Sequence, residues 1–150
     1  SISLALGSVA GIGAARVATS HYSVIVKNSA QMMIAGPALV DWASLGDVSK
    51  EELGSYKIHT RNGAIDDEAE SEREAFDMAK QFLSYLPSSV DELPPVLEAD
   101  DPIDRKDESL INIIPKDPRQ VYKMHDILNS VCDQNSFFEI GKKSLSSMIT

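Results

Sequence analysis

Three glycines, Gly7, Gly11 and Gly13, interrupt an apolar run that begins at Ile2 and resumes as Ala14-Ala15-Arg16-Val17-Ala18. Glycine weakens the interiors of strands and helices alike. The chain is therefore predicted to leave a strand over residues 2–5, turn, and enter a helix. The first N–H groups of a helix have no intrahelical partner and point outward, so a turn of this kind can receive a phosphate or an oxyanion. A dinucleotide fingerprint is the first chemistry this suggests. Arg16 fills its third glycine position, however, and no acidic residue occurs between Gly13 and Val40 to hold a ribose. Tight strand–helix packing without a ligand is the other reading these glycines allow.

A second turn of the same type follows at Ile34-Ala35-Gly36-Pro37-Ala38-Leu39-Val40. Proline suits a first helical position, where its missing N–H would be unpaired anyway. Between the two turns, Tyr22-Ser23-Val24-Ile25-Val26 and Gln31-Met32-Met33-Ile34 read as short buried strands. The predicted order is strand, helix, strand, strand, helix, an α/β pattern.

Further along, Ser49 and Glu52 have the spacing of a capping box, opening a short turn that Gly54 closes. His59-Thr60-Arg61-Asn62-Gly63 reads as a strand leaving the core through an Asn-Gly turn. Residues 66–86 read as a helix. Phe76, Ala79, Leu83 and Leu86 lie on one face, widened by Ala75 and Phe82, and Asp67, Glu68, Glu70, Glu72 and Glu74 load its first turns. Pro87 stops it. Pro94-Pro95 and the acidic run Glu98-Ala99-Asp100-Asp101 mark an extended connector over residues 87–117. Asp117-Pro118 is the expected start of a second helix with Val121, Met124, Leu128 and Val131 on its apolar face, ending near Asp133. Phe137-Phe138-Glu139-Ile140 is expected to form a short strand or a hydrophobic anchor. The chain thus divides into residues 1–86, 87–117 and 118–150.

Composition narrows the function classes. Lys+Arg 14 against Asp+Glu 23 gives a net charge of −9, and aromatic residues are 6% of the chain. Neither favours a nucleic-acid surface, which needs clustered cations or stacking platforms. Arg16 and Lys27 are the only cations before Lys50, a thin supply for an anionic ligand. Cys132 is the single cysteine, so neither an intrachain disulfide nor a cysteine zinc site can form. His21, His59 and His125 are too widely spaced for a compact metal motif. No metal in this chain is expected, and each histidine reads as structural or surface. No apolar run approaches the ~18 residues that span a bilayer. The expectation is a soluble intracellular protein with no membrane contact. The first residues read as the middle of a sheet and Ser147-Met148-Ile149-Thr150 as the opening of a strand, so both ends are expected to be cuts.

The phrases Gly7-Ser8-Val9-Ala10-Gly11, Ile34-Ala35-Gly36-Pro37, Val48-Ser49-Lys50-Glu51-Glu52-Leu53-Gly54, His59-Thr60 and Ser84-Tyr85-Leu86-Pro87 occur together and in this order. With them the sequence resembles the carboxyltransferase (β) subunits of biotin-dependent acyl-CoA carboxylases. Asp101-Pro102-Ile103-Asp104-Arg105, Tyr122-Lys123-Met124-His125-Asp126-Ile127 and Phe137-Phe138-Glu139-Ile140 look most like the propionyl-CoA carboxylase branch. The resemblance covers essentially the whole chain. It implies an α/β crotonase-like (ClpP/crotonase superfamily) fold. Residues 1–86 would be the C-terminal half of the first carboxyltransferase domain, residues 87–117 a linker, and residues 118–150 the approach to a second domain.

The activity implied is transfer of a carboxyl group from carboxybiotin to the α carbon of a short-chain, propionyl-CoA-like acyl-CoA through an enolate. A non-catalytic carboxyltransferase-like subunit and a methylcrotonyl-CoA-type substrate are the alternatives. By resemblance, the backbone N–H groups of Gly11 and Ile12 form an oxyanion hole, and Gly13, Gly36 and Pro37 contact substrate or biotin. Implied partners are biotin on a carrier domain, a biotin carboxylase/biotin carrier subunit, acyl-CoA, and sister subunits in a homo-oligomer, a hexamer. The compartment would be the mitochondrial matrix in a eukaryote or the cytoplasm in a bacterium. The family also pairs this first domain with the second domain of a neighbouring subunit, so residues 1–150 alone are expected to be inactive. Ile12 departs from the family's usual glycine, Gly13 from an alanine, and Ser55-Tyr56 and Asn62-Gly63 from a Gly-Ala and a Ser-Gly pair. A branched side chain at Ile12 implies a narrower acyl pocket or impaired chemistry. An enoyl-CoA hydratase-like enzyme would need a glutamate near these turns, and none precedes Glu51.

Overall fold

A computed structural model describes residues 1–43, 46–96, 101–102, 104–134 and 136–144. Glu98-Ala99-Asp100 of the acidic run, Ile103 and Ser147-Met148-Ile149-Thr150 lie outside the described residues. The elements are β1 (Ile2–Ala5), β2 (Ser8–Ala10), α1 (Ile12–Ala18), β3 (Tyr22–Val26), β4 (Gln31–Met33), α2 (Pro37–Trp42), α3 (Lys50–Gly54), α4 (Tyr56–Asn62), β5 (Asp67–Ala69), α5 (Glu72–Ser84), α6 (Leu110–Ile113) and α7 (Met124–Val131). One sheet has the order β1-β3-β5 and a second pairs β2 with β4; all pairings are parallel. The expected element order holds with one refinement: the glycine stretch holds a strand of its own, β2.

β3 is the spine. All five of its residues are buried, as expected of a central parallel strand covered on both faces. Ala5, Ala14, Val17, Ile65, Ala69 and Ala75 pack around it. Its polar groups are matched. The Tyr22 hydroxyl donates to Asp67 Oδ2 at 3.0 Å, and Ser23 donates from N and Oγ to Asp66 Oδ2, each at 2.8 Å. Phe82 stacks on the Tyr22 ring at 4.9 Å, and Phe138 meets the same ring edge-on at 5.6 Å. Phe137-Phe138-Glu139-Ile140 therefore forms no strand. It is the anchor that returns the late part of the chain to the first sheet, helped by the Tyr85 hydroxyl donating to Ser136 O at 2.8 Å.

Four expectations are corrected. His59-Thr60-Arg61-Asn62 is not a strand but the end of α4: Ser55 caps its start in extended conformation, and Gly63 closes it in the left-handed region at φ 75°. An Asn-Gly pair serves a helix C-terminus as readily as a hairpin turn. The helix expected over residues 66–86 spans only Glu72–Ser84, because Asp67–Ala69 is drawn into the sheet as β5. The acids of that region are compensated there by Ser23, Tyr22 and Lys27.

The buried face of α5 is also shifted. Ala75 and Ala79 are buried, with Met78 and Phe82 beside the core, while Phe76, Leu83 and Leu86 are exposed. The helix lies on β3 through its small residues, which allow close approach. Lastly, Asp117-Pro118 opens an isolated turn instead of a helix. Asp117 Oδ1 accepts the Arg119 N–H and its carbonyl accepts the Gln120 N–H, both at 3.0 Å, and α7 begins only at Met124. The four residues expected on its apolar face do not make a buried stripe: Val121, Met124 and Val131 are exposed.

Candidate functional site

The glycine turns meet because β2 and β4 run side by side. Ser8, Val9 and Ala10 stand opposite Gln31, Met32 and Met33, so the two strands end together. Gly11 N–H then donates to both Met33 O and Ile34 O, each at 3.1 Å. From this junction α1 leaves at Ile12 and α2 at Pro37, with Gly11 and Gly36 as the residues before each helix. Ligands of open α/β sheets gather at such carboxyl ends of parallel strands.

The glycines differ in what they do. Gly11 has φ 62°, a conformation that side-chained residues rarely adopt. A Cβ on Gly13 would sit 3.0 Å from Val9 Cγ1. Gly36 has an ordinary φ of −77°, and a Cβ there would meet nothing within 4 Å. No internal constraint of the described residues calls for glycine at Gly36, so the open space beside it is available to another molecule. Pro37 takes the first helical position as expected.

The segments that meet at this junction carry exposed apolar side chains. Ile12 is 78% exposed and Ile34 is 90% exposed, and α2 buries none of its residues, leaving Leu39 and Trp42 in solvent. Of the two early cations, Lys27 pairs with Glu68 at 3.0 Å and with Glu70, whose hydrogen bond heads the causes that hold its ammonium above the ordinary value. Arg16 is exposed and lies one turn beyond Ile12 on α1. Gly11 N–H, expected with Ile12 N–H as an oxyanion donor, is instead spent on Met33 O and Ile34 O; the first-turn N–H groups left without an intrahelical partner include those of Ile12 and Gly13.

The support beneath the turns was not legible as a site. Ser8 Oγ donates to Gln31 Oε1 at 2.6 Å, and Gln31 Nε2 donates to Glu51 Oε1 at 3.1 Å, tying β2 through buried Gln31 to α3. The capping box is present: Ser49 N and Oγ donate to Glu52 Oε2, and Glu52 N–H donates to Ser49 Oγ at 3.2 Å. Gly54 does more than end α3. A Cβ there would lie 2.1 Å from Met32 O, so glycine is what lets the helix lie against β4. His59 Nε2 donates to the same Met32 O at 2.6 Å. Only the family phrases containing Gly54 and His59 hinted at either. His125, by contrast, is an exposed partner of Glu139 at 2.8 Å. A cavity of about 620 Å³ lined by Tyr122, His125, Leu128, Phe137 and Glu139 shares no residue with the glycine turns. Among the described residues no group of three or more His, Cys, Asp or Glu could hold a metal ion. No described helix is long and apolar enough to cross a membrane.

Comparison with known proteins gives the family and the fold. The family model for the carboxyl transferase domain matches residues 1–150. The human mitochondrial propionyl-CoA carboxylase beta chain is 36% identical over 140 residues, covering 93% of this chain and 26% of its own length. The propionyl-CoA carboxylase beta chain of Roseobacter denitrificans is 32% identical over 150 residues, covering 99% of this chain and 29% of its own. A crystal structure of transcarboxylase 12S, described as a hexamer assembly with hydrolysed methylmalonyl-coenzyme A bound, superposes with a TM-score of 0.88 at 25% identity over 97% of this chain and 29% of its own. The chain thus spans under a third of the length of these relatives. Its fold is the α/β crotonase-like fold of the carboxyltransferases.

Proposed function

Because the chain belongs to the carboxyl transferase domain family, we propose that it is part of an acyl-CoA carboxylase carboxyltransferase subunit acting on a short-chain, propionyl-CoA-like acyl-CoA. The observation that carries this reading is the junction of β2 and β4, which brings two helix starts to one opening with unspent N–H groups at Ile12 and Gly13. The transfer would exchange the α proton of the acyl-CoA for the carboxyl group, the proton taking that group's place on the biotin nitrogen, and negative charge would build on the thioester oxygen in between. Fixed N–H donors aimed at that oxygen lower the barrier without any acidic side chain. In this arrangement Gly11 sets the turn, Ile12 and Gly13 donate, and Gly36 and Pro37 form the facing wall.

A carboxylated biotin, when bound, supplies the carboxyl group. The apolar rim of Ile12 and Ile34 suits the acyl chain and the ring of such a group, and Arg16, exposed on α1, is a cation for the phosphates of CoA. A biotin carboxylase/biotin carrier subunit and sister subunits in a hexamer are the partners, and the division into residues 1–86, 87–117 and 118–150 is the domain plan. The matrix of a mitochondrion or the cytoplasm of a bacterium is the compartment. One feature favours a second reading, a non-catalytic subunit: the branched side chain of Ile12 occupies space at the donor turn.

The test uses the full-length protein with its biotinylated carrier. Gly11 is a poor target for proline, which cannot adopt φ 62°. Ile12 is the first residue of α1, where proline is tolerated while deleting the N–H. Ile12→Pro should lower kcat by about 10²-fold or more. Ile12→Gly, which keeps the donor and removes the side chain, should raise kcat/KM for longer acyl-CoAs relative to the shortest. If Ile12→Pro assembles and carboxylates like the parent, the oxyanion assignment is wrong. A parent with no carboxyl transfer at all supports the non-catalytic subunit.

A further inference from the structure

We infer that His59 is a positioning residue for the Gly11 turn, acting through the backbone of β4. The catalytic part of this inference rests on the carboxyl-transfer reading, and the mechanical part on geometry alone.

A carbonyl oxygen only accepts, so the 2.6 Å contact between His59 Nε2 and Met32 O places the proton on Nε2. Nδ1 is then a lone-pair acceptor. It is buried and has no partner among the described residues. The ring therefore makes a single hydrogen bond, and it is the one to β4. A buried acceptor left unpaired is a cost that an apolar side chain of similar size would not carry. Stability by itself does not explain a histidine here.

The position of its one bond does. The next two carbonyls along the chain, Met33 O and Ile34 O, are those that hold Gly11 N–H. Met32 also stands opposite Val9, two residues before Gly11. The Met32 peptide also lies against Gly54, which leaves no room for a Cβ. The Met32 peptide is thus held by a hydrogen bond and a steric contact, and it passes that restraint to Gly11 by two routes. Gly11 needs it. The orientation of the Ile12 N–H is set by Gly11 ψ, here −129°, and a glycine has no side chain to limit that torsion.

The test compares His59→Leu, which removes the donor, with His59→Gln, whose amide nitrogen reaches the same carbonyl, in the full-length protein with its carrier. Amide hydrogen exchange is read in residues 7–13 and in Tyr22–Val26, alongside kcat, KM and Tm. His59→Leu should speed exchange at Gly11 about tenfold, leave Tyr22–Val26 unchanged, and lower kcat more than it raises KM, with Tm near that of the parent. His59→Gln should restore both readouts. If His59→Leu does not assemble, His59→Asn, whose amide stops short of Met32 O, carries the same comparison. Exchange at Gly11 that stays at the parent rate, or rises equally in Tyr22–Val26, overturns the inference. Selective loosening of Gly11 in a protein that transfers no carboxyl group supports the clamp and removes the catalytic reading. Active protein with an unmoved Gly11 does the reverse.

Discussion

Gly54→Ala separates packing from helix propensity by the sign of its effect. Gly54 lies in α3 with no positive φ, and for an exposed helical site replacing glycine by alanine gains about 1 kcal/mol. Here the added Cβ would lie 2.1 Å from Met32 O, 2.7 Å from Met32 C and 3.0 Å from Met32 N. All three are backbone atoms of one strand residue, so no rotamer change relieves the contact. Optimal contact lies near ~3.5 Å, so α3 and β4 must part by more than roughly 1 Å. That movement would pull on the Gln31–Glu51 bond and on the His59 clamp.

Overpacking of this sort costs about 1–3 kcal/mol, and more where backbone is the obstacle, so after the propensity gain a net loss of about 2 kcal/mol remains. For a domain of this size that corresponds to a fall in Tm of about 4–8 °C. Thermal unfolding of the full-length protein measures it, with Gly13→Ala as control. The Cβ of that variant meets only the movable Val9 side chain at 3.0 Å, so its Tm should change little. A Gly54→Ala protein as stable as the parent, or more stable, would show that α3 does not press on β4.

Two further outcomes are expected. Burial pushes the Asp67 carboxyl above its ordinary value against the pull of the Tyr22 hydroxyl. The folded chain then holds that proton more tightly than the unfolded one, so this group makes stability fall as pH rises from the ordinary carboxylate range through the raised folded value, and leaves it level above. Asp67→Asn, which still accepts from Tyr22, should flatten that slope in denaturant midpoints measured against pH, and an unaltered slope would contradict the assignment. Gly36→Ala should leave Tm unchanged or raise stability by about 0.4–1 kcal/mol, because its backbone is ordinary and its surroundings open. It should still lower kcat/KM for acyl-CoA, and wild-type kinetics would remove Gly36 from the substrate wall.

The two glycine turns, the two strands between them and the capping box were legible in the sequence because each is specified by neighbours within a few residues. What escaped was decided at longer range. Asp67 and Glu68 run against strand propensity and become strand because β3 offers them Tyr22 and Lys27. Asn62-Gly63 is a turn signal of two meanings, and in the fold Gly63 takes the left-handed conformation that closes α4. On α5 the expected face holds at Ala75, Ala79 and Phe82 and fails at Phe76, Leu83 and Leu86, because close approach to β3 favours the small residues. For the proposed site, Gly11, Ile12, Gly13, Gly36 and Pro37 follow from the family resemblance of the two glycine turns. Nothing in local pattern places His59 or Gln31 beneath them, since both act through tertiary hydrogen bonds.

The central place of β3 also sets a timetable for biosynthesis. β1 is already made when β3 emerges, but β3 cannot complete its other edge until β5 arrives: Ser23 and its partner Asp66 are 43 positions apart. At about 5–20 residues per second on the ribosome, this leaves one side of the most apolar strand unpaired for a few seconds. An open apolar strand edge invites pairing with a neighbouring nascent chain. Synonymous changes that slow translation between Val26 and Asp67 should therefore lower soluble yield without altering the folded product.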